Sequence, residues 1–241
     1  GISYAVNEIP AYAFYVPYAS AGMSRLNTFY FPLSTESIGE NALYQSVVLR
    51  TTNLGELSSL KTIKSAAISR CTRLREIELP ASVVEIGAAA FAHNPQLNTV
   101  VIPEGSQLSI LGCNVFNGCN MISSLDFSTT QLTEVGEQAF NACSQLSDVK
   151  LPSSVEYIGD DAFGYCVKLK SIDFSEGLRT IAPIAFKNCT ALQTLDFPTT
   201  LQEIGEGAFY YCTSLTRAII PEGTVKVGEG AFADCSSLNN V

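Results

Sequence analysis

The chain has 241 residues, 46% of them hydrophobic, and carries 14 basic against 23 acidic side chains for a net charge of −9. This composition supports a sizeable buried core and argues against nucleic acid or an anionic membrane surface as the main partner. No apolar run reaches the roughly 18 residues that a membrane-spanning helix needs, so membrane insertion is not expected. Gly1 reads as a residue left by tag removal, so the lack of a targeting segment assigns no compartment.

In chain order, residues 1–25 are the least regular and the richest in tyrosine. Ile9 to Phe14 fits half of the repeat that recurs along the rest of the chain, and about six extra residues, Tyr15 to Ser20, delay the next strand. Terminal repeats are atypical because they cover an apolar end, so 1–25 is expected to be an N-terminal cap. Residues 26–241 are expected to form one solenoid of about nine turns, the last truncated. The turn from Leu49 is weak, with Thr52 where an apolar strand residue belongs, and register returns at Leu60, Ile63, Ala67 and Ile68. After Leu74 the pattern is clean, apart from two extra residues near 104–108 and one near 128–132.

From Leu146 the period is fixed at 23 residues: LSDVKLPSSVEYIGDDAFGYCVK, LKSIDFSEGLRTIAPIAFKNCTA, LQTLDFPTTLQEIGEGAFYYCTS and LTRAIIPEGTVKVGEGAFADCSS. A period in the twenties marks a solenoid, in which one turn cannot bury its apolar face alone. LxxIxLP reads as a short strand with alternating faces, and SVxxIG as a second extended piece closed by glycine. AFxxC is expected to be a helix of one to two turns. The acids after the glycine, Glu40, Glu137, Asp160, Glu206 and Glu229, and Pro183 in the same place, suit a first helical turn.

Cys119, Cys143, Cys166, Cys189, Cys212 and Cys235 follow one another at 24, 23, 23, 23 and 23 residues, with Cys71 and Asn94 in the same column. Stacked neighbours point their Cβ atoms the same way, whereas a disulfide needs them to converge, so the column is expected to be reduced and buried. Nor does a ladder converge on a point as a metal site must. Cys113 lies off the column after a glycine, at an expected helix N-terminus where a thiol pKa can fall. It is either a redox thiol lacking a resolving partner or a merely tolerated one.

No P-loop, G-x-G-x-x-G or Cys-x-x-Cys motif occurs, and the single histidine, His93, sits at a variable, exposed position. No triad can be assembled around it, so no enzyme activity, cofactor or metal is expected. The outward positions of successive strands include Glu76, Glu78, Asp126, Asp148, Lys150, Asp173, Asp196 and Arg217, the candidate partner-binding residues. Two readings stay open: a solvated face that charge keeps from aggregating, or an acidic surface for a basic or polar partner. Asp126, Asp148, Asp173 and Asp196 are expected to stack within a Debye length of about 8 Å, which a bound cation or basic partner would relieve. Tyr165, Tyr210 and Tyr211, with Tyr30 and Tyr157, are expected to be exposed and to lie mostly off the strand columns. They are either a second candidate patch or scattered surface aromatics.

The tandem motif LPxSVxxIGxxAFxxCxxL, clearest from Leu74 to Val241, resembles the BspA-like leucine-rich repeats of bacterial and protist surface proteins. The resemblance implies an α/β repeat solenoid, a curved right-handed superhelix with a parallel β-sheet on its concave face and short helical turns on the convex side. It also implies a cell-surface or secreted adhesion role, binding a protein (host extracellular matrix or another bacterial surface protein) or a glycan. A structural spacer or self-associating array is the alternative, and a β-helix enzyme acting on polysaccharide a third. The chain reaches Leu238 to Val241 as another strand falls due, which predicts an exposed apolar end and weak end-to-end dimers.

Overall fold

A computed structural model of the chain describes residues 7–15 and 26–239. The chain winds as a parallel β-solenoid of about nine turns, each with three segments that hydrogen-bond to the turns before and after. Two of the segments are the expected extended pieces. SVxxIG gives two-residue strands in two five-stranded parallel ladders. One ladder runs from Glu8–Ile9 through Ser37–Ile38, Thr62–Ile63 and Glu85–Ile86 to Ile110–Leu111. The other runs from Glu134–Val135 through Tyr157–Ile158, Thr180–Ile181 and Glu203–Ile204 to Lys226–Val227. The break between them falls in the coil that carries the extra residue near 128–132. Of the cap expected over 1–25, residues 1–6 and 16–25 lie outside the described residues, as does most of the insertion. Glu8–Ile9 continues the first ladder by pairing with Ser37–Ile38.

The LxxIxLP strands form ladders only in pairs: Thr28–Phe29 with Thr51–Thr52, Glu76–Glu78 with Thr99–Val101, Ser124–Asp126 with Asp148–Lys150, and Thr194–Asp196 with Arg217–Ile219. The single sheet expected on this face is therefore divided. Residues 170–174 form no strand, although Ser171 and Asp173 stay exposed and Ile172 buried. That coil is held by side chains, with Phe174 stacked on Phe197 at 5.5 Å and set edge-on to Phe186 at 6.0 Å. In the weak turn at 49–60, Asn53 compensates for Thr52: buried, it accepts from the Phe31 N–H at 2.7 Å and donates to the Phe31 carbonyl at 3.1 Å. A 3₁₀ turn, Leu54–Glu56, then brings Leu54 and Leu57 into the core.

The third segment departs from the helix expected of it. AFxxC is not helical; it is a pair of successive turns with a left-handed residue in each, for example Asp161 at φ 53° and Tyr165 at φ 61°. Within the segment, Ala162 N–H donates to the Gly159 carbonyl and Cys166 N–H to that of Phe163. The alternate N–H groups of Asp161, Phe163 and Tyr165 donate instead to Pro183, Ala185 and Lys187 of the next coil, at 3.1, 2.8 and 2.8 Å. An N–H committed to a neighbouring coil cannot close a bond four residues back along its own chain, so this ladder displaces the helix. The post-glycine acids thus complement no helix dipole, and Cys113 stands at no helix N-terminus. The backbone carbonyls of Glu137, Asp160, Glu206 and Glu229 have a different task, accepting N–H groups from the preceding coil. Gly159 permits that approach: a Cβ there would lie 2.7 Å from Glu137 N and 2.8 Å from the Gly136 carbonyl carbon. No helix among the described residues is long and apolar enough to cross a membrane.

The core is a set of columns. Phe91, Phe116, Phe140, Phe163, Phe186, Phe209 and Phe232 stack ring on ring, with centroids 5.1–5.9 Å apart and interplanar angles of 5–25°. Phe127, Phe174 and Phe197 reach this stack from the strand face at steeper angles. Beside it runs the cysteine column, whose members are unpaired thiols and buried, with Cys113 exposed. Each column thiol donates to the carbonyl of the aromatic-column residue one coil earlier, as Cys166 does to Phe140 and Cys189 to Phe163, at 3.3 and 3.2 Å. Asn94 performs the same task, donating to the Ile68 carbonyl at 2.9 Å, and also accepts from the Cys71 N–H at 2.7 Å. Ser46 occupies the column one coil before Cys71, a place the cysteine spacing does not reveal.

Candidate functional site

The strand face presents its side chains in an exposed–buried–exposed pattern: Glu76/Ile77/Glu78, Ser124/Leu125/Asp126, Asp148/Val149/Lys150, Thr194/Leu195/Asp196 and Arg217/Ala218/Ile219. All eight candidate residues are exposed. Register then sorts them. Ser124 stands opposite Asp148, and Asp126 opposite Lys150, so Asp148 lies in a different column from Asp126. Asp126 is fully engaged: its carboxylate accepts from the Ser128 hydroxyl at 2.5 Å, the Ser128 N–H at 3.0 Å and the Lys150 ammonium at 3.0 Å. The Ser128 hydroxyl and then Lys150 hold the Asp126 pKa below the ordinary carboxylate range, and the same carboxylate raises that of Lys150. Asp196 pairs with Arg217. The four aspartates therefore do not form one unrelieved stack. Asp148 and Asp173, with Glu76 and Glu78, are the acids of this face that form no ion pair among the described residues.

Tyr165, Tyr210 and Tyr211 lie on the turn segment, away from the strand face, whereas Tyr30 follows the strand Thr28–Phe29 and Tyr157 stands in the second five-stranded ladder. Tyr165, Tyr210 and Tyr211 are 44%, 36% and 46% exposed, and Tyr30 and Tyr157 are exposed as well. Tyr165 and Tyr211 share one column with Asn188 between them, while Lys187 sits 5.7 Å from the Tyr165 ring centroid. Lys187 and Tyr210 line a shallow 330 Å³ cavity with Ile184, Glu206 and Glu229. The structure thus links Tyr165 and Tyr210 through one lysine and leaves Tyr211 at their margin. His93 is exposed, its pKa lowered first by partial burial and then by Arg70. Among the described residues no group of His, Cys, Asp and Glu is arranged to hold a metal ion.

A third cluster does not stand out from the sequence pattern. Arg50, Arg73, Arg75 and Gln96 line a 220 Å³ cavity at the N-terminal edge of the strand face. Its signal is a charge count: residues 50–75 hold six of the chain's 14 basic residues and one of its 23 acids.

Repeating glycine closure, a stacked aromatic column and a thiol column on a 23-residue period coincide with a family model, the BspA type leucine-rich repeat region, matched in six copies over residues 2–123 and 109–239. The chain belongs to this family. Among solved structures, a leucine-rich repeat protein from Bacteroides ovatus is similar over 99% of this chain and 70% of its own, at 24% identity and TM-score 0.58. The leucine-rich repeat protein of T. pallidum aligns over 75% of this chain and 72% of its own, at 24% identity and TM-score 0.52. A leucine-rich cell surface protein from Faecalibacterium prausnitzii covers 98% of this chain and 83% of its own, at 22% identity and TM-score 0.50. At these identities the likeness is one of fold. No curated protein matches the chain.

Proposed function

We propose that this BspA-type repeat protein is a non-enzymatic binding module of a cell-surface or secreted adhesion protein, engaging a protein or glycan through its strand face. The observation that carries the reading is the repeated presentation of side chains on that face. Exposed side chains recur at both flanks of a buried residue on coil after coil, backed by stacked Phe columns that hold their spacing. Solenoids use such extended surfaces for recognition. The cell surface as the place of action draws support from the naming of the Faecalibacterium neighbour. Glu76, Glu78, Asp148 and Asp173 are the side chains best free to meet a basic partner, with Asp126–Lys150 and Asp196–Arg217 as paired charges around them.

The test is a binding screen against immobilised extracellular-matrix proteins and glycans, repeated with Asp126, Asp148, Asp173 and Asp196 all changed to Asn. The two exposed ion pairs lost are worth little to stability, so the variant is expected to fold. Its association with a retained partner is expected to slow, with a flatter salt dependence. Retention of a partner with unchanged kinetics would move recognition to the tyrosine patch.

A further inference from the structure

Elsewhere on this solenoid, several cations meet carboxylates on another coil. Lys150 pairs with Asp126, Arg179 with Glu156, Lys226 with Glu203, and Lys64 with Glu8. The arginines at the N-terminal edge of the strand face, like Lys61, Arg70, Lys168, Lys170 and Lys187, form no ion pair among the described residues, and they differ from these in lining one cavity together. Arg50 and Arg75 each follow a buried leucine, Leu49 and Leu74, and so occupy the same column on adjacent coils. Arg73 stands just before Leu74, one column over. All three are exposed, and among the described residues none has a carboxylate within salt-bridge distance. Neither residues 1–6 nor 16–25 contain an acid that could supply one. Glu76, next in the chain to Arg75, also forms no ion pair among the described residues.

The backbone beneath the guanidinium groups is fixed by the repeat. Arg50 N–H donates to the Asn27 carbonyl at 2.8 Å, and the Arg75 carbonyl accepts from Asn98 N–H at 3.0 Å. Three like charges are thus held side by side around one 220 Å³ cavity whose fourth wall is Gln96. A second cavity of 410 Å³ adjoins it, sharing Arg75 and Gln96 and adding Asn98, Pro95 and Met121. The pair follows two columns across successive coils, Arg73–Gln96–Met121 and Arg50–Arg75–Asn98.

We propose that these two cavities form a binding groove for an acidic polysaccharide. A sulfate or carboxylate group sits among Arg50, Arg73 and Arg75, whose planar forks suit such oxyanions. The adjoining sugar ring packs over Pro95 and Met121, with the Gln96 and Asn98 amides bonding its hydroxyls. The anion supplies the countercharge that a neighbouring coil provides for Lys150, Arg179 and Lys226. None of the acidic strand-face residues lines the groove, so this inference does not rest on the binding role proposed for them.

The test is calorimetric titration of the full chain at physiological salt with four probes: a sulfated heparin oligosaccharide, an unsulfated polyuronate oligosaccharide, neutral dextran and polyglutamate. One or both acidic oligosaccharides are expected to bind, and dextran and polyglutamate not to; preference between the first two assigns sulfate or carboxylate as the anchoring group. Changing Arg50, Arg73 and Arg75 together to Gln is expected to weaken binding at least tenfold with an unaltered thermal melt, as the three are exposed. Changing Arg179 and Lys226, exposed cations on the side of the second five-stranded ladder, to Gln is expected to leave it unchanged. If the triple variant unfolds, R75Q alone, the residue shared by both cavities, is expected to weaken binding several-fold. The proposal is overturned if neither acidic oligosaccharide binds, if polyglutamate binds as well as they do, or if the arginine variants bind like the parent chain.

Discussion

A thiol that donates to a carbonyl one coil away belongs to the core even when the protein works outside the cell. Burial pushes the thiols of Cys71 and Cys119 up to about 12 and those of Cys143, Cys166 and Cys189 well above the ordinary value. Titration with a thiol reagent under native conditions should therefore modify Cys113 alone, the column reacting only after denaturation. Native modification of two or more column thiols would contradict this. The linkage has a sign. The folded chain keeps protons that the unfolded chain releases above about pH 9, so this part of the stability is whole below pH 9 and is lost as pH rises from there towards the folded values. The slope is about 1.4 kcal/mol per pH unit for each such thiol, and denaturant melts between pH 8 and about pH 11 would read it. Asn94, the polar member of the column, gives the complementary test. Asn94→Ala strands the buried Cys71 N–H and removes one donor from Ile68, so a loss of about 2–3 kcal/mol is expected. Asn94→Cys restores the donor to Ile68 only and should fall between the two. Equal stability of all three would show that the column carries no hydrogen-bonding load.

At the scale of the element, the aromatic column makes every coil a wall of the next. Phe163 stacks on Phe140 and Phe186, both at 5.1 Å, so Phe163→Ala opens a cavity against two coils at once. A loss of about 3–5 kcal/mol is expected in denaturant melts, and under about 1 kcal/mol would mean that the column is not core. This much is legible in the sequence, because aromatic, cysteine and glycine columns recur at a fixed period and only stacked coils bury them all. The turn segment is not legible in the same way. Ala162, Phe163 and Cys166 fall on one face of a helix, but they fall equally well in two successive turns. The bond from Phe163 N–H to Ala185 on the next coil decides between them, and no local pattern contains it. The candidate site is legible to a similar depth. Alternation shows which side chains leave the core, whereas the pairing of Asp126 with Lys150 depends on register between coils. The stacked arginines are hidden for the same reason, since Arg50 and Arg75 are 25 residues apart in the chain and neighbours only in the solenoid.

For the whole molecule, charge is sorted by position as well as by amount. A net −9 is spread over strand and turn faces, while Arg50, Arg73 and Arg75 gather around one edge. A stacked array offers no single deep cleft, so recognition has to be spread along a surface, and the strand face is the surface whose side chains repeat coil by coil. Carbodiimide footprinting of carboxylates tests this most directly, with the chain free and then bound to whichever matrix protein or glycan the binding screen retains. Protection is predicted at Glu76, Glu78, Asp148 and Asp173, with Glu137, Asp160, Glu206 and Glu229 of the turn segment labelled as in the free chain. Protection of the turn-segment acids with the strand face still fully labelled would contradict the account.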